Sequence, residues 1–246
     1  MKIAAIIQAR CGSTRFPNKV FADLCGHPLI WHVVNRLRFA STVDEIVLAT
    51  TINFGDQKLY DWGIKNNITV FRGSENDVLN RYYRASEEVN ADIVIRITAD
   101  DPFKEPSIID KAVQKLLKEG ADFVCNNFPP SFPEGLDVEV FTKRALSIAE
   151  QNSESNFERE HVTQYFYHNP SLFKILNISN HKNLSGLRWT LDTEEDFLMT
   201  RQIYSLLYKD DSSIFYMDDI LDLLERFPEI SRMNLGVTRS EMYKLK

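Results

Sequence analysis

The chain has 246 residues, 43% hydrophobic and 26% charged, enough for one sizeable core or two small ones. Its net charge of −6 and pI near 5.5 exclude a generally basic nucleic-acid footprint, so cations matter only where they cluster. Cys11, Cys25 and Cys125 have no CxxC or Cys/His spacing, which speaks against zinc and reads as reduced thiols.

Short apolar runs alternate with helical patterns along the first half. "KIAAII" predicts a buried strand, followed by a loop and then by the helix "PLIWHVVNRLRFA" with Pro28 at its first position. "DEIVLAT" predicts a strand, and "DQKLYDWGIKNN" a helix capped by Asp56. The strand "ITVFRG" and the helix "DVLNRYYRASEEV", capped by Asp77, come next. "DIVIRITADDP" is a strand ending in two carboxylates. "PSIIDKAVQKLLKEG" is a helix stopping at Gly120, and "ADFVCN" is a further strand. This repetition predicts an α/β protein with a mostly parallel sheet and helices on both faces.

After residue 126 the rhythm breaks. "NNFPPSFPEGLDVEV" predicts a loop entering a strand, and "TKRALSIAEQ" and "EREHVTQYFYHN" predict helices. "LFKILNI" and "LRWTLDT" predict strands, and "EEDFLMTRQIYSLLY" and "MDDILDLLERF" closing helices. The expectation is one domain over residues 1–246, with 127–190 as an insertion lobe for acceptor binding and dimerisation. No run approaches the ~20 apolar residues of a membrane span, and "IAAII" is short for a secretory core. The expected protein is soluble and cytoplasmic.

Ligands of such sheets sit at the carboxyl ends of the strands. The loop after the first strand, "ARCGSTRFPNK", lacks the P-loop and GxGxxG spacings but has their physical parts. Gly12 permits a tight turn. Backbone amides with Ser13 and Thr14 can receive phosphate oxygens. Arg10, Arg15 and Lys19 offer two planar forks and a point charge, which together suit a triphosphate. Asp100 and Asp101 end an apolar strand, where Mg²⁺ would relieve their repulsion; Mg²⁺ takes one or two carboxylates plus substrate phosphates. Asp192 ends "LRWTLD" in the same way. Helix capping competes with metal binding at Asp101 and Asp192. Arg72, Ser74 and Arg81 in "FRGSENDVLNRY" are candidates for reading a base or ribose. His161 in "EREHV" stands either as a ligand or as a structural residue.

These stretches together resemble the sugar-activating cytidylyltransferases, and in particular the spore coat polysaccharide biosynthesis type. The opening "ARCGSTRFPNK" is close to that family's A-R-x-G-S-x-R-x-P-x-K. "ATT", "RGSENDVLNRY", "RITADDP", "PEGLDVEVF", "EREHVT" and "TLDTEED" follow in the family's order. The resemblance covers about residues 1–200 and extends to the enzymes that make CMP-3-deoxy-manno-octulosonate and CMP-sialic acid. It implies a Rossmann-like nucleotidyltransferase (GT-A-like) fold, Mg²⁺ dependence and a homodimer. It also implies CMP transfer from CTP to a sugar, expected to be acidic, in surface glycan biosynthesis. By the match, Arg10, Ser13, Arg15 and Lys19 hold the triphosphate, and Asp100 and Asp192 hold the metal. Arg72, Ser74 and Arg81 lie near the cytidine, and Glu139, Arg159 and His161 face the acceptor. Asn18 stands where the family commonly has Gly, an exchange that suits a position of positive φ. The alternative reading is a glycosyltransferase of related fold, which would release a nucleoside diphosphate rather than pyrophosphate.

Overall fold

The computed structural model describes residues 1–13 and 15–237. The first strand, β1 (Ile3–Gln8), gives way to a short hairpin of β2 (Asp23–Leu24) and β3 (His27–Pro28) and to helix α1 (Leu29–Leu37). Next come β4 (Glu45–Thr51), α2 (Gln57–Lys65), β5 (Thr69–Gly73), α3 (Val78–Glu88), β6 (Ile93–Thr98) and α4 (Pro106–Glu119). The second half holds β7 (Phe123–Cys125), β8 (Glu139–Thr142), α5 (Lys143–Asn152), α6 (Asn156–His161), α7 (Gln164–His168) and β9 (Ile175–Asn177). Three closing helices are α8 (Glu194–Leu207), α9 (Met217–Arg226) and α10 (Pro228–Ser231).

The seven-stranded sheet runs β5-β4-β1-β6-β8-β7-β9, and β8 lies antiparallel to both of its neighbours. The remaining pairings are parallel, as the βαβ rhythm requires. Alternation along β1 sends Ile3, Ala5 and Ile7 into one core with α1, α4, α8 and α9. Ala4 and Ile6 enter the other core with α3, α5 and α7. The fold is therefore the expected α/β arrangement with helices on both faces.

Several expectations need correcting. Segment 127–190 does not stand off as a lobe, since it supplies β8 and β9 to the central sheet. "LRWTLDT" is extended but joins no ladder. Its amides are used by loops, Trp189 N donating to the Glu134 carbonyl at 2.7 Å and Leu191 N to the Asp100 carbonyl at 2.8 Å. "EREHVTQYFYHN" forms two helices because Val162, at φ +57°, breaks the run between α6 and α7. Pro28 precedes α1 rather than opening it. Asp77 caps α3, accepting from Asn80 N at 3.0 Å. Asp56 caps nothing with its side chain; its carboxylate turns instead to the opening loop.

His32 on α1 is buried, with Nε2 2.7 Å from the Leu24 carbonyl, and burial pushes its pKa down to about 4. An unfolded histidine titrates near 6.5. As pH falls through 6.5 the unfolded chain gains a proton that the folded chain refuses. Stability should therefore drop by about 3 kcal/mol between pH 6.5 and 4. Urea unfolding of wild type and His32→Phe at pH 7.5 and 5.0 checks this. The stability difference between the two proteins should shift in favour of His32→Phe at pH 5.0, and a pH-independent difference contradicts it.

Candidate active site

The carboxyl ends of β1, β4 and β6 converge with the opening loop and the segment around Asp192. The loop is anchored from below. Asp56, 4% exposed, accepts from Cys11 N at 2.6 Å and from the Thr51 hydroxyl. Burial and this carboxylate push the Cys11 thiol up to about 12, so it is no nucleophile. Asn18 N donates to the Cys11 carbonyl at 3.1 Å, and Asn18 itself has φ +57°, the left-handed conformation that makes Asn a tolerable stand-in for Gly. Gly12 is not where the turn needs glycine: its φ is not positive, and a Cβ there would meet open space.

A cavity of about 270 Å³ opens over this loop, lined among others by Gln8, Arg10, Ser13, Arg15, Lys19, Arg81, Asp100 and Asp192. Lys19 Nζ is held 2.9 Å from Asp100, 2.7 Å from Asp192 and 3.0 Å from the Leu191 carbonyl. Burial alone would lower the pKa of Lys19, but the two carboxylates outweigh it and hold it raised. Burial acts to raise Asp100, yet the Lys19 ammonium dominates and holds it down at about 2. Arg15 reaches Asp192 at 3.1 Å, and Arg10 reaches Glu75 at 3.0 Å. Ser13 Oγ accepts from Phe16 N at 3.3 Å. Arg81 is 3% exposed; one guanidinium nitrogen donates to the Ser74 carbonyl at 2.5 Å, and its buried Nε has no partner among the described residues.

A second cavity of about 200 Å³ adjoins the first and shares Gln8, Arg15, Thr98, Asp100 and Asp192 with it. Its further walls are Arg96, Asp101, Lys104, Glu134, Asp137 and Glu139. Arg96 pairs with Glu139 at 2.7 Å, and Glu139 also accepts from Thr163 and Tyr167. Asp101 is no helix cap; it accepts from the Thr98 hydroxyl at 2.6 Å and pairs with buried Lys104 at 2.7 Å. Burial raises Asp101 while Lys19 depresses Asp100, so two adjacent carboxylates are driven apart. Gly135 has φ +101°, and a Cβ there would lie 2.7 Å from the Trp189 carbonyl carbon. Only glycine lets the cavity floor approach that strand-like segment.

The structure thus brings together Arg10, Ser13, Arg15, Lys19, Arg81, Asp100 and Asp192, with Glu139 in the adjoining space. It does not bring in Arg72, whose guanidinium donates to Thr51 O, Gln57 Oε1 and Asn53 O and lies over the Tyr60 ring. Ser74 is exposed and accepts from Asp77 N. Arg159 lines neither cavity; it ties α6 to Asp77 at 2.8 Å and Glu150 at 2.6 Å. His161 also lines neither and packs against Phe157 at 4.6 Å. Burial lowers its pKa, so it is neutral near pH 7. Thr14 lies outside the described residues. Sequence reasoning passed over Gln8, Arg96 and Lys104. Arg96 and Thr98 alternate on one face of β6, a period-two signal that could have flagged Arg96 beside Asp100.

Among the described residues no three carboxylate, histidine or cysteine side chains gather as a metal site. Asp100 and Asp192, both on one ammonium, do suit Mg²⁺ provided phosphate oxygens complete the shell.

Arg10, Arg15 and Lys19 thus gather with Asp100 and Asp192 at the carboxyl ends of the parallel strands β1, β4 and β6. Residues 4–238 match the family model for cytidylyltransferases, and the chain belongs to that family. It is 33% identical over 209 residues to the spore coat polysaccharide biosynthesis protein SpsF of Bacillus subtilis, spanning 82% of this chain and 86% of that one. The match to 3-deoxy-manno-octulosonate cytidylyltransferase of Geobacter metallireducens is 32% over 121 residues, 49% of this chain and 47% of the other. Among solved structures, a cytidylyltransferase from Leptospira borgpetersenii superposes with a TM-score of 0.89 at 31% identity, covering 98% of this chain and 99% of the other. No helix among the described residues is long and apolar enough to cross a membrane.

Proposed function

We propose that the protein transfers CMP from CTP to a sugar with release of pyrophosphate, in the making of a surface glycan. The observation that carries this reading is the Lys19 ammonium bridging Asp100 and Asp192 where the two cavities meet. The first cavity has the cations for a triphosphate, and the second gives the acceptor access to its α-phosphorus. An acceptor hydroxyl oxygen attacks that phosphorus and releases its proton to solvent, the bond to the bridging oxygen breaks, and pyrophosphate leaves. Arg10, Arg15 and Lys19 offset the charge that develops on the leaving group. The chain's contribution is positioning and charge stabilisation. Asp100 and Asp192 are the residues that would hold Mg²⁺, which when bound supplies positive charge to the phosphates. The second cavity has six carboxylates against three cations. Arg15, Arg96 and Lys104 are each paired within the protein. A hydroxyl-rich sugar suits that lining, whereas a sugar acid gains from it only with a metal charge beside it. Pyrophosphate release from CTP, measured across neutral, amino, acidic and phosphorylated sugars, tests the reading. Acceptor-dependent pyrophosphate supports it. Release of a nucleoside diphosphate from a nucleotide sugar would replace it with the glycosyltransferase reading.

A further inference from the structure

Five residues line both cavities, and they mark where the reacting phosphorus must sit if the proposed function holds. Four of them are engaged within the protein. Arg15 and Asp192 pair with each other, Asp100 pairs with Lys19, and the Thr98 hydroxyl donates to Asp101. The fifth, Gln8, differs: its side-chain carbonyl Oε1 is buried and has no hydrogen-bond partner among the described residues.

The placement of Gln8 is dictated by the sheet. It is the last residue of β1, paired in register with Ala49 on one side and Thr98 on the other. Alternation puts it on the same face as Ala4 and Ile6, which enter the core beneath α3. Arg81 and Val78 of α3 line the first cavity from that side. An apolar residue would complete this face without cost, whereas a buried amide oxygen without a partner is destabilising. The primary amide carries two donors at one end and an acceptor at the other. With the carbonyl end buried, the NH₂ end is left for the shared space.

We propose that Gln8 is a substrate-contacting residue whose side-chain NH₂ donates to a non-bridging oxygen of the nucleotide α-phosphate. It thereby fixes that phosphate at the junction of the two cavities. This rests on the proposed function. The cradle of Arg10, Ser13 and Lys19 holds the β- and γ-phosphates, and Gln8 holds the phosphate that stays with the nucleoside.

Isothermal titration of wild type and Gln8→Leu with CTP, CMP and pyrophosphate, each with Mg²⁺, tests this without any acceptor. Gln8→Leu should weaken CMP and CTP on the order of tenfold or more, the usual effect of losing a hydrogen bond to a charged group. Pyrophosphate affinity should be unchanged. The unliganded variant should melt no lower than wild type, because an unpaired buried oxygen has been removed; a purely structural role for Gln8 predicts the reverse. Gln8→Glu should weaken CMP further than Gln8→Leu, since it sets a carboxylate against the phosphate. Unchanged CMP affinity in Gln8→Leu, or an equal loss for pyrophosphate, overturns the assignment alone. A wild-type protein that binds none of the three overturns the proposed function, and the assignment with it.

Discussion

Replacing Lys19 by methionine should lower cytidylyl transfer by ~10²–10³-fold, the range seen when one preorganised donor to a developing charge is removed. Methionine keeps the length and most of the volume of the stem, so the loss would be that of the ammonium. Two effects add. The leaving pyrophosphate loses a positive partner, and Asp100 and Asp192 lose the ion that now holds them 2.9 and 2.7 Å from one nitrogen. With the ammonium gone, the carboxylates repel, and Mg²⁺ alone should stabilise the variant more than it stabilises wild type. Pyrophosphate release at saturating CTP measures the first effect and thermal unfolding with and without Mg²⁺ the second. Turnover equal to wild type would remove Lys19 from the catalytic machinery.

The largest effect on stability should come from Arg188. Its side chain is 8% exposed and pairs with Glu134 at 3.0 Å, Asp192 at 3.1 Å and Asp196 at 3.0 Å. Asp196 is fully buried, caps α8 through Thr193 and also accepts from Asn234 at 2.9 Å. Removing one member of a buried ionic cluster strands the others, at a cost of about 3–5 kcal/mol. In a chain of this length Arg188→Met should therefore melt roughly 6–20 °C lower. Calorimetric scans of the two proteins decide it. A melting temperature within a degree or two of wild type would mean that the three carboxylates find other partners or protonate without penalty.

The first half of the fold was legible because its signals are local. Buried runs such as "KIAAII" and "DEIVLAT" and helix stops such as Gly120, at φ +59°, need no distant partner to be read. The cation cluster of the opening loop was legible for the same reason, since Arg10, Arg15 and Lys19 follow a strand directly. The failures are tertiary. "LRWTLDT" has a strand's composition, yet the backbones of Glu134 and Asp100 take its hydrogen bonds. Asp56 stands in a capping position, but the amide of Cys11 lies 45 residues away in sequence and wins its carboxylate. Arg72 looked like a base reader, and the carbonyls of Thr51 and Asn53 claim it. Of the walls the second cavity does not share with the first, only Asp101 and Glu139 were read from the sequence, because Arg96, Lys104 and Asp137 meet it only when β6 and β8 pair.

The most direct test of the central claim is the thermal stability of the protein with CTP, UTP, ATP and GTP, each with Mg²⁺ and with EDTA. A ligand at 100 times its dissociation constant stabilises the native state by about 2.7 kcal/mol, a readable shift. A Mg²⁺-dependent rise with CTP, larger than with the other three, is the predicted result. No shift with any triphosphate would contradict a triphosphate site in the cradle of Arg10, Ser13, Arg15 and Lys19.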